Sequence, residues 1–341
     1  MRPRTGLVLA GAAGAGLIAW GAKRRASFLD LHGKLVLITG GSRGLGLQLA
    51  REFGARRARV AICARDADEL NRAQQDLKER GINTHTAVCD VSDAGQVDRM
   101  IGAIAERLGP IDVLVNNAGI IRVGPIFQQT AQDFEDAMNT MFWGTLYPTL
   151  AVLPQMRERK KGRIVNITSI GGRVSVPHLV PYCCAKFAVV ALSEGLRAEL
   201  ASSGIRVVTI LPGLMRTGSH LNAEFKGKHK AEYLWFSAGA ASPLVSIDAA
   251  RAARSIVRAT ARGDAEKILS MPADLIARLH GIFPGLTTEI FGLVNRFLLP
   301  GSPESLTGIR TGAEAKAQLG SRVLEAITQP GQHAAEALNE L

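Results

Sequence analysis

The segment KLVLITGGSRGLGLQLAREFG, residues 34–54, constrains this chain more than any other. An apolar run ends at Thr39 and Gly40, Gly44 and Gly46 follow, and apolar residues then recur at helical spacing. That order predicts a strand, a turn tight enough to need glycine, and a helix. Glycines let the backbone approach a pyrophosphate, which then meets the positive end of the helix. Thr39, Gly40, Ser42, Arg43, Gly44, Leu45 and Gly46 are therefore expected to cradle a dinucleotide.

The unit predicts its own continuation. RVAICA, THTAVCD, DVLVNNAG, GRIVNITS and RVVTILPG are short apolar runs, and segments such as AQQDLKERG and VDRMIGAIAERLG between them carry helical spacing. Strands alternating with helices make an α/β protein with a doubly wound parallel sheet, a Rossmann fold. Near-continuous apolar strands mean helices on both faces, with ligands at the carboxyl ends of the strands. With 341 residues, 47% of them hydrophobic, the chain can build one large domain with appendages.

The net charge of +11 favours anionic partners such as nucleotide phosphates or an anionic membrane surface. Nucleic acid is not expected, because the basic residues are scattered and aromatics make up only 5%. Cys63, Cys89, Cys183 and Cys184 have no zinc-ligand spacing with histidine, so no metal site is expected. They read as small thiols, mostly buried, in a reduced compartment.

Three regions are expected. In residues 1–30, the run from Gly6 to Ala22 carries no charge and is flanked by Arg2 and Arg4 and by Lys23, Arg24 and Arg25. As a helix it would span roughly 25 Å, the short limit for a bilayer. A membrane anchor with the catalytic domain in the cytoplasm is the leading expectation. A tail that is disordered or lies on a surface, on a cytoplasmic protein, and a cleaved export signal are the alternatives. Residues 31–270 form the dinucleotide domain. Residues 271–341 form a helical C-terminal extension. Its apolar first half would cover the cleft, face a second copy or meet a membrane surface.

The second strand ends VAICARD. Where an acidic residue would bind a ribose 2′-hydroxyl stands Ala64, followed by Arg65, with Arg43 in the glycine loop. Two guanidiniums suit a 2′-phosphate, so NADP is expected, with Asp66 keeping NAD as the alternative.

Further along come CDV at 89–91, NNAG at 116–119, IVNITS at 164–169, YCCAK at 182–186 and PGLMRT at 212–217. With TGGSRGLG at 39–46, in this order, the chain resembles the short-chain dehydrogenase/reductase family over residues 33–270. The resemblance implies catalysis by Ser169, Tyr182 and Lys186. It puts Asp90 and Val91 beside the adenine. Asn116, Asn117, Ala118 and Gly119 would lie under the nicotinamide ribose, and Pro212, Gly213 and Thr217 at the nicotinamide end. Tyr182 and Lys186 would also touch the cofactor. In such a reaction hydride passes to a carbonyl carbon, Ser169 donates a hydrogen bond to its oxygen and Tyr182 gives the proton. Lys186, one helical turn on, is expected to lower the tyrosine pKa from about 10.

One position departs from the family pattern. The usual asparagine is replaced by Met141 in MNTMFWG. Asn139, two residues back, lies about 200° around a helix. Methionine offers no donor, so Met141 is expected to serve as an apolar wall against substrate. His178 at a pocket rim and Met215 complete the substrate candidates. The segment 214–243 also carries Leu214, Leu221, Phe225, Tyr233, Leu234, Trp235 and Phe236. It reads either as a lid packing on the domain or as the wall for a bulky apolar carbonyl or alcohol, of lipid, sterol or retinoid type. The leading expectation is an NADP-dependent oxidoreductase, as a homo-oligomer. An epimerase or dehydratase on the same site, or a nucleotide-binding scaffold or sensor with little turnover, are the alternatives.

Overall fold

The computed structural model describes residues 28–242, 245–318 and 331–341. The core strands are β1 (Leu35–Thr39), β2 (Arg59–Ala64), β3 (Thr84–Val88), β4 (Val113–Asn116), β6 (Gly162–Ile167), β7 (Ile205–Leu211) and β11 (Glu266–Ile268). The helices between them are α1 (Gly44–Ala55), α2 (Ala67–Glu79), α3 (Ala94–Leu108), α4 (Ala131–Ala137), α5 (Gly144–Glu158), α6 (Val180–Glu199), α7 (His229–Ala241) and α8 (Ala249–Arg262). The strands form one parallel sheet in the order β11-β7-β6-β4-β1-β2-β3.

Alternation along the strands sorts side chains into two buried layers. Val36, Ile38, Val60 and Ile62 pack with α1, α2 and α8. Leu35, Leu37, Ala61 and Cys63 pack with α3 and α5. After β3 the chain crosses to the other side of β1 to lay down β4. The connections therefore diverge between β1 and β4, and a crevice opens at their carboxyl ends, where Thr39 and Asn116 stand. Leu29 and Leu31 already belong to the first layer, and the Leu29 amide donates to the Ala261 carbonyl at 2.7 Å. Leu29 is thus already part of the packed layer.

Three short strands lie outside the main sheet, β5 (Arg122–Val123), β9 (Glu224–Phe225) and β12 (Arg310–Thr311). β8 (Leu214–Arg216) and β10 (Ser246–Asp248) make a two-stranded pair. The region after residue 270 divides in two. α9 (Met271–Ile282) and α10 (Pro284–Phe297) form a hairpin. It leaves Leu275, Leu279, Leu286, Ile290, Leu293 and Phe297 exposed. The stretch from 303 to 317 instead packs back on the domain, and the Gly312 amide donates to Ala223 at 2.8 Å. Among the described residues no helix is long and apolar enough to cross a membrane. The uncharged run 6–22, expected as an anchor, lies outside them.

Candidate active site

The glycine loop takes the shape its sequence demands. Gly40 and Gly44 sit at φ +61° and +54°, in the left-handed region. A Cβ on Gly46 would collide with the Gly40 carbonyl. Thr39 Oγ1 accepts from the amides of Asn117 at 3.0 Å and Ala118 at 3.2 Å. Asn117 Nδ2 donates to the carbonyls of Thr39 and Gly40. These bonds fasten Asn117 and Ala118 to the loop. The Asn116 side chain turns the other way and donates to Thr149 Oγ1 and Asn166 Oδ1 in the core. It braces β4 against β6 and is not part of the crevice floor. Asp90 Oδ1 accepts from the amide and hydroxyl of Ser92, and Val91 is buried against Gly144. Pro212 accepts from the Ile170 amide, Gly213 lies against Ser270 and Ala273, and Thr217 is buried.

At the end of β2, Arg65 is exposed. The Asp66 carboxylate caps α2, accepting from the Glu69 amide at 2.8 Å. Sequence reasoning missed Glu69 itself. Its two oxygens accept from Ser42 Oγ at 2.8 Å and from Arg43 Nη1 at 2.9 Å. A carboxylate in the first turn of α2 was visible in the sequence, but its partnership with the loop is a long-range contact.

Ser169 ends the stretch after β6, while Tyr182 and Lys186 occupy successive turns of α6. The element between them folds back so that a Cβ on Gly171 would lie 3.2 Å from Tyr182 Cε1 and 3.4 Å from Ser169 Oγ. Ser169 Oγ accepts from the Gly171 amide at 3.0 Å, which leaves its proton free to donate elsewhere. Lys186 Nζ is buried, donates to the Ile167 carbonyl at 2.9 Å and lies 5.7 Å from the Tyr182 ring centre. Burial pushes the Tyr182 phenol up to about 12, against the lowering pull of Ser169. Burial also pushes Lys186 down to about 8. The expected lowering of the tyrosine by the lysine is not found in the free protein, where loss of hydration raises the phenol and Ser169 is the group that opposes it.

The asparagine replacement sits in an altered helix. Met138–Trp143 is a π-helical turn between α4 and α5, and the Gly144 amide donates to the Asn139 carbonyl. Asn139 is exposed, as its angular offset implied. Met141 is only 1% exposed and packs with Ile120, Tyr182 and Ala185. A Cβ on Gly119 would lie 3.6 Å from Met141 Cγ and 3.8 Å from Lys186 Nζ. Met141 therefore backs the catalytic helix beside Lys186 and has no open face to offer a substrate.

His178 also differs from expectation. It is buried at φ +65°, with Nδ1 2.9 Å from both Glu232 oxygens, and Trp235 Nε1 donates to the same carboxylate at 2.7 Å. A ring held this way cannot be an open rim residue, and Glu232, 54 positions away, gave no local signal. Met215 is half-buried on β8, packed against the first core layer. Phe225, Tyr233 and Phe236 meet edge to face in a small core of their own. These aromatics pack on the domain, and of the apolar residues named in 214–243 Leu214 and Leu234 are the ones exposed.

The crevice thus gathers a glycine cradle, two hydroxyl donors and a buried amine at the carboxyl ends of parallel strands. Residues 34–226 match the model of the short chain dehydrogenase family. The chain belongs to that family. It is 38% identical over 186 residues to a putative ketoacyl reductase of Streptomyces coelicolor, covering 54% of this chain and 71% of that one. It is 37% identical over 255 residues to a dehydrogenase/reductase SDR family protein 7-like of Anopheles gambiae, covering 73% and 78%. Among solved structures, a short-chain dehydrogenase from Streptomyces avermitilis matches with a TM-score of 0.67 at 29% identity, over 79% of this chain and 99% of that one. A gluconate 5-dehydrogenase from Burkholderia cenocepacia, in complex with NADP and tartrate, gives 0.62 at 26% identity, over 72% and 96%. The protein is a dehydrogenase/reductase acting on CH–OH and C=O groups with a nicotinamide cofactor. The residues fit such a cofactor, since the glycine cradle has no room for side chains and Lys186 presents a buried amine beside the floor.

Proposed function

We propose that this enzyme is an NADPH-dependent carbonyl reductase working through Ser169, Tyr182 and Lys186. The convergence of two hydroxyls and a buried amine at the crevice between β1, β4 and β6 carries the reading. A bound nicotinamide supplies the hydride. Ser169, its lone pair engaged by Gly171, donates a hydrogen bond to the carbonyl oxygen as charge develops there. Tyr182, whose phenol burial keeps protonated, gives that oxygen its proton. Lys186, held by the Ile167 carbonyl, has donors to spare for the cofactor ribose and for stabilising the tyrosinate left behind.

NADP is favoured over NAD because the acidic residue after β2 is occupied. Asp66 caps a helix, whereas Arg65 stands exposed beside it. Arg43 shares its charge with Glu69, so Arg65 is the main reader of a 2′-phosphate. The substrate is an apolar carbonyl compound, a reading supported by Leu214 and Leu234 as the exposed lid residues. Titration of both cofactors into wild type and Arg65→Ala tests the cofactor assignment. The variant should lose about tenfold or more of NADPH affinity, the worth of one charge-assisted bond, with NADH little changed. Equal losses for the two cofactors would overturn it.

A further inference from the structure

The C-terminal residues 331–341 lie in the same crevice, and nothing in the catalytic scheme uses them. Residues 331–337 are helical. This helix begins against His220, and Ala335 packs so closely on Gly218 that a Cβ there would collide with it. Gly218 directly follows Thr217, which the family pattern assigns to the nicotinamide end. From there the tail runs to the glycine loop. Arg51 Nη2 donates to the Ala337 carbonyl at 2.8 Å, and the Gly44 amide donates to the Leu338 carbonyl at 2.8 Å. Asn339 Nδ2 donates to the carbonyls of Ser42 and Glu69, and its Oδ1 accepts from Arg72. Ala335 and Leu338 are buried.

Near its end the tail buries a carboxyl, whose pKa burial pushes up to about 7. Glu340 is 8% exposed, and a Cβ on Gly44 would collide with its carboxylate. One oxygen accepts from Asn222 Nδ2 at 2.7 Å and lies 3.6 Å from Arg43 Nε. A carboxyl at the first residue of α1, beside an arginine, occupies the position that such a loop offers to a phosphate. The Gly44 amide, one of the donors that would serve that phosphate, is already spent on Leu338.

We propose that residues 331–341 are an intramolecular plug of the cofactor crevice, with Glu340 standing in for a cofactor phosphate, so that the dinucleotide binds only when the tail leaves. The proposal rests on the cofactor site argued above. Because plug and cofactor share Gly44 and Arg43, the apparent affinity for NADPH is the intrinsic affinity scaled by the fraction of molecules with the tail released. The dinucleotide in turn frees the tail.

Glu340→Lys in the full chain sets a cation against Arg43 and releases the tail. NADPH should then bind about tenfold more tightly, as for a plug closed nine-tenths of the time. In the wild type, saturating NADPH should raise hydrogen exchange in the amides of 331–341, a readout that needs no variant and no turnover. Equal NADPH affinity of the two proteins, or a tail that stays protected with NADPH bound, would overturn the plug while leaving the cofactor assignment intact. Failure of both proteins to bind NADPH or NADH would overturn the cofactor assignment and the plug together.

Discussion

At the scale of single residues, the proposed mechanism rests on two groups that burial drives in opposite directions. Tyr182 is raised to about 12 and keeps its proton through the neutral range. Lys186 is lowered to about 8, so its cation is present below that pH and is lost as pH rises through it. In the proposed proton transfer a charged Lys186 stabilises the tyrosinate that Tyr182 leaves behind. Reductive kcat/KM, which reports the free enzyme, should therefore be level near neutrality and fall as pH rises through about 8. A profile that stays flat to about pH 10 would remove Lys186 from the proton-transfer step. Met141 belongs to this scale as well. Buried near Lys186, it sets an apolar side chain where the family pattern has an amide.

At the scale of elements, the segment around β9 is fastened by a charge cluster built on the buried Asp133, with no counterpart in the local sequence. Arg122 on β5 pairs with Asp133 and Asp136 on α4 and with Glu224 on β9. Lys226, just after β9, reaches the same Asp133. Asp133 also closes a capping box with Thr130 at the start of α4, so one 2%-exposed carboxylate ties the helix to the lid. Its neighbours hold it below the usual carboxylate range despite burial. Asp133→Ala strands Lys226 and takes one of three carboxylate partners from Arg122, and should cost about 3–5 kcal/mol, read by urea unfolding. A loss under about 1 kcal/mol would mean that solvent, and not the carboxylate, compensates those cations. The capping box was legible in the sequence as T-x-x-D, but the partners across 93 residues were not.

For the whole molecule, what the sequence revealed and what it hid follow from the range of the interactions. The parallel sheet was legible because each strand carries its own apolar run and each crossover its own helical period. Ser169, Tyr182, Lys186 and the glycine loop were legible because their motifs are short and ordered. The Glu69 contacts, the His178–Glu232 pair, the inward turn of Asn116 and the docked tail depend on residues tens to hundreds of positions apart. The π-helical turn at Met138–Trp143 was missed because a regular 3.6-residue period fits the same residues. The account turns on Tyr182 as the proton source, and one comparison tests it most directly. NADPH oxidation is followed across a panel of apolar ketones and aldehydes for wild type and Tyr182→Phe, with NADPH binding titrated for both. Wild type should turn over at least one carbonyl, and the variant should bind NADPH as well yet react about 10²–10⁴-fold more slowly. A variant with near-normal turnover, or a wild type that binds NADPH but reduces no carbonyl, would contradict the account.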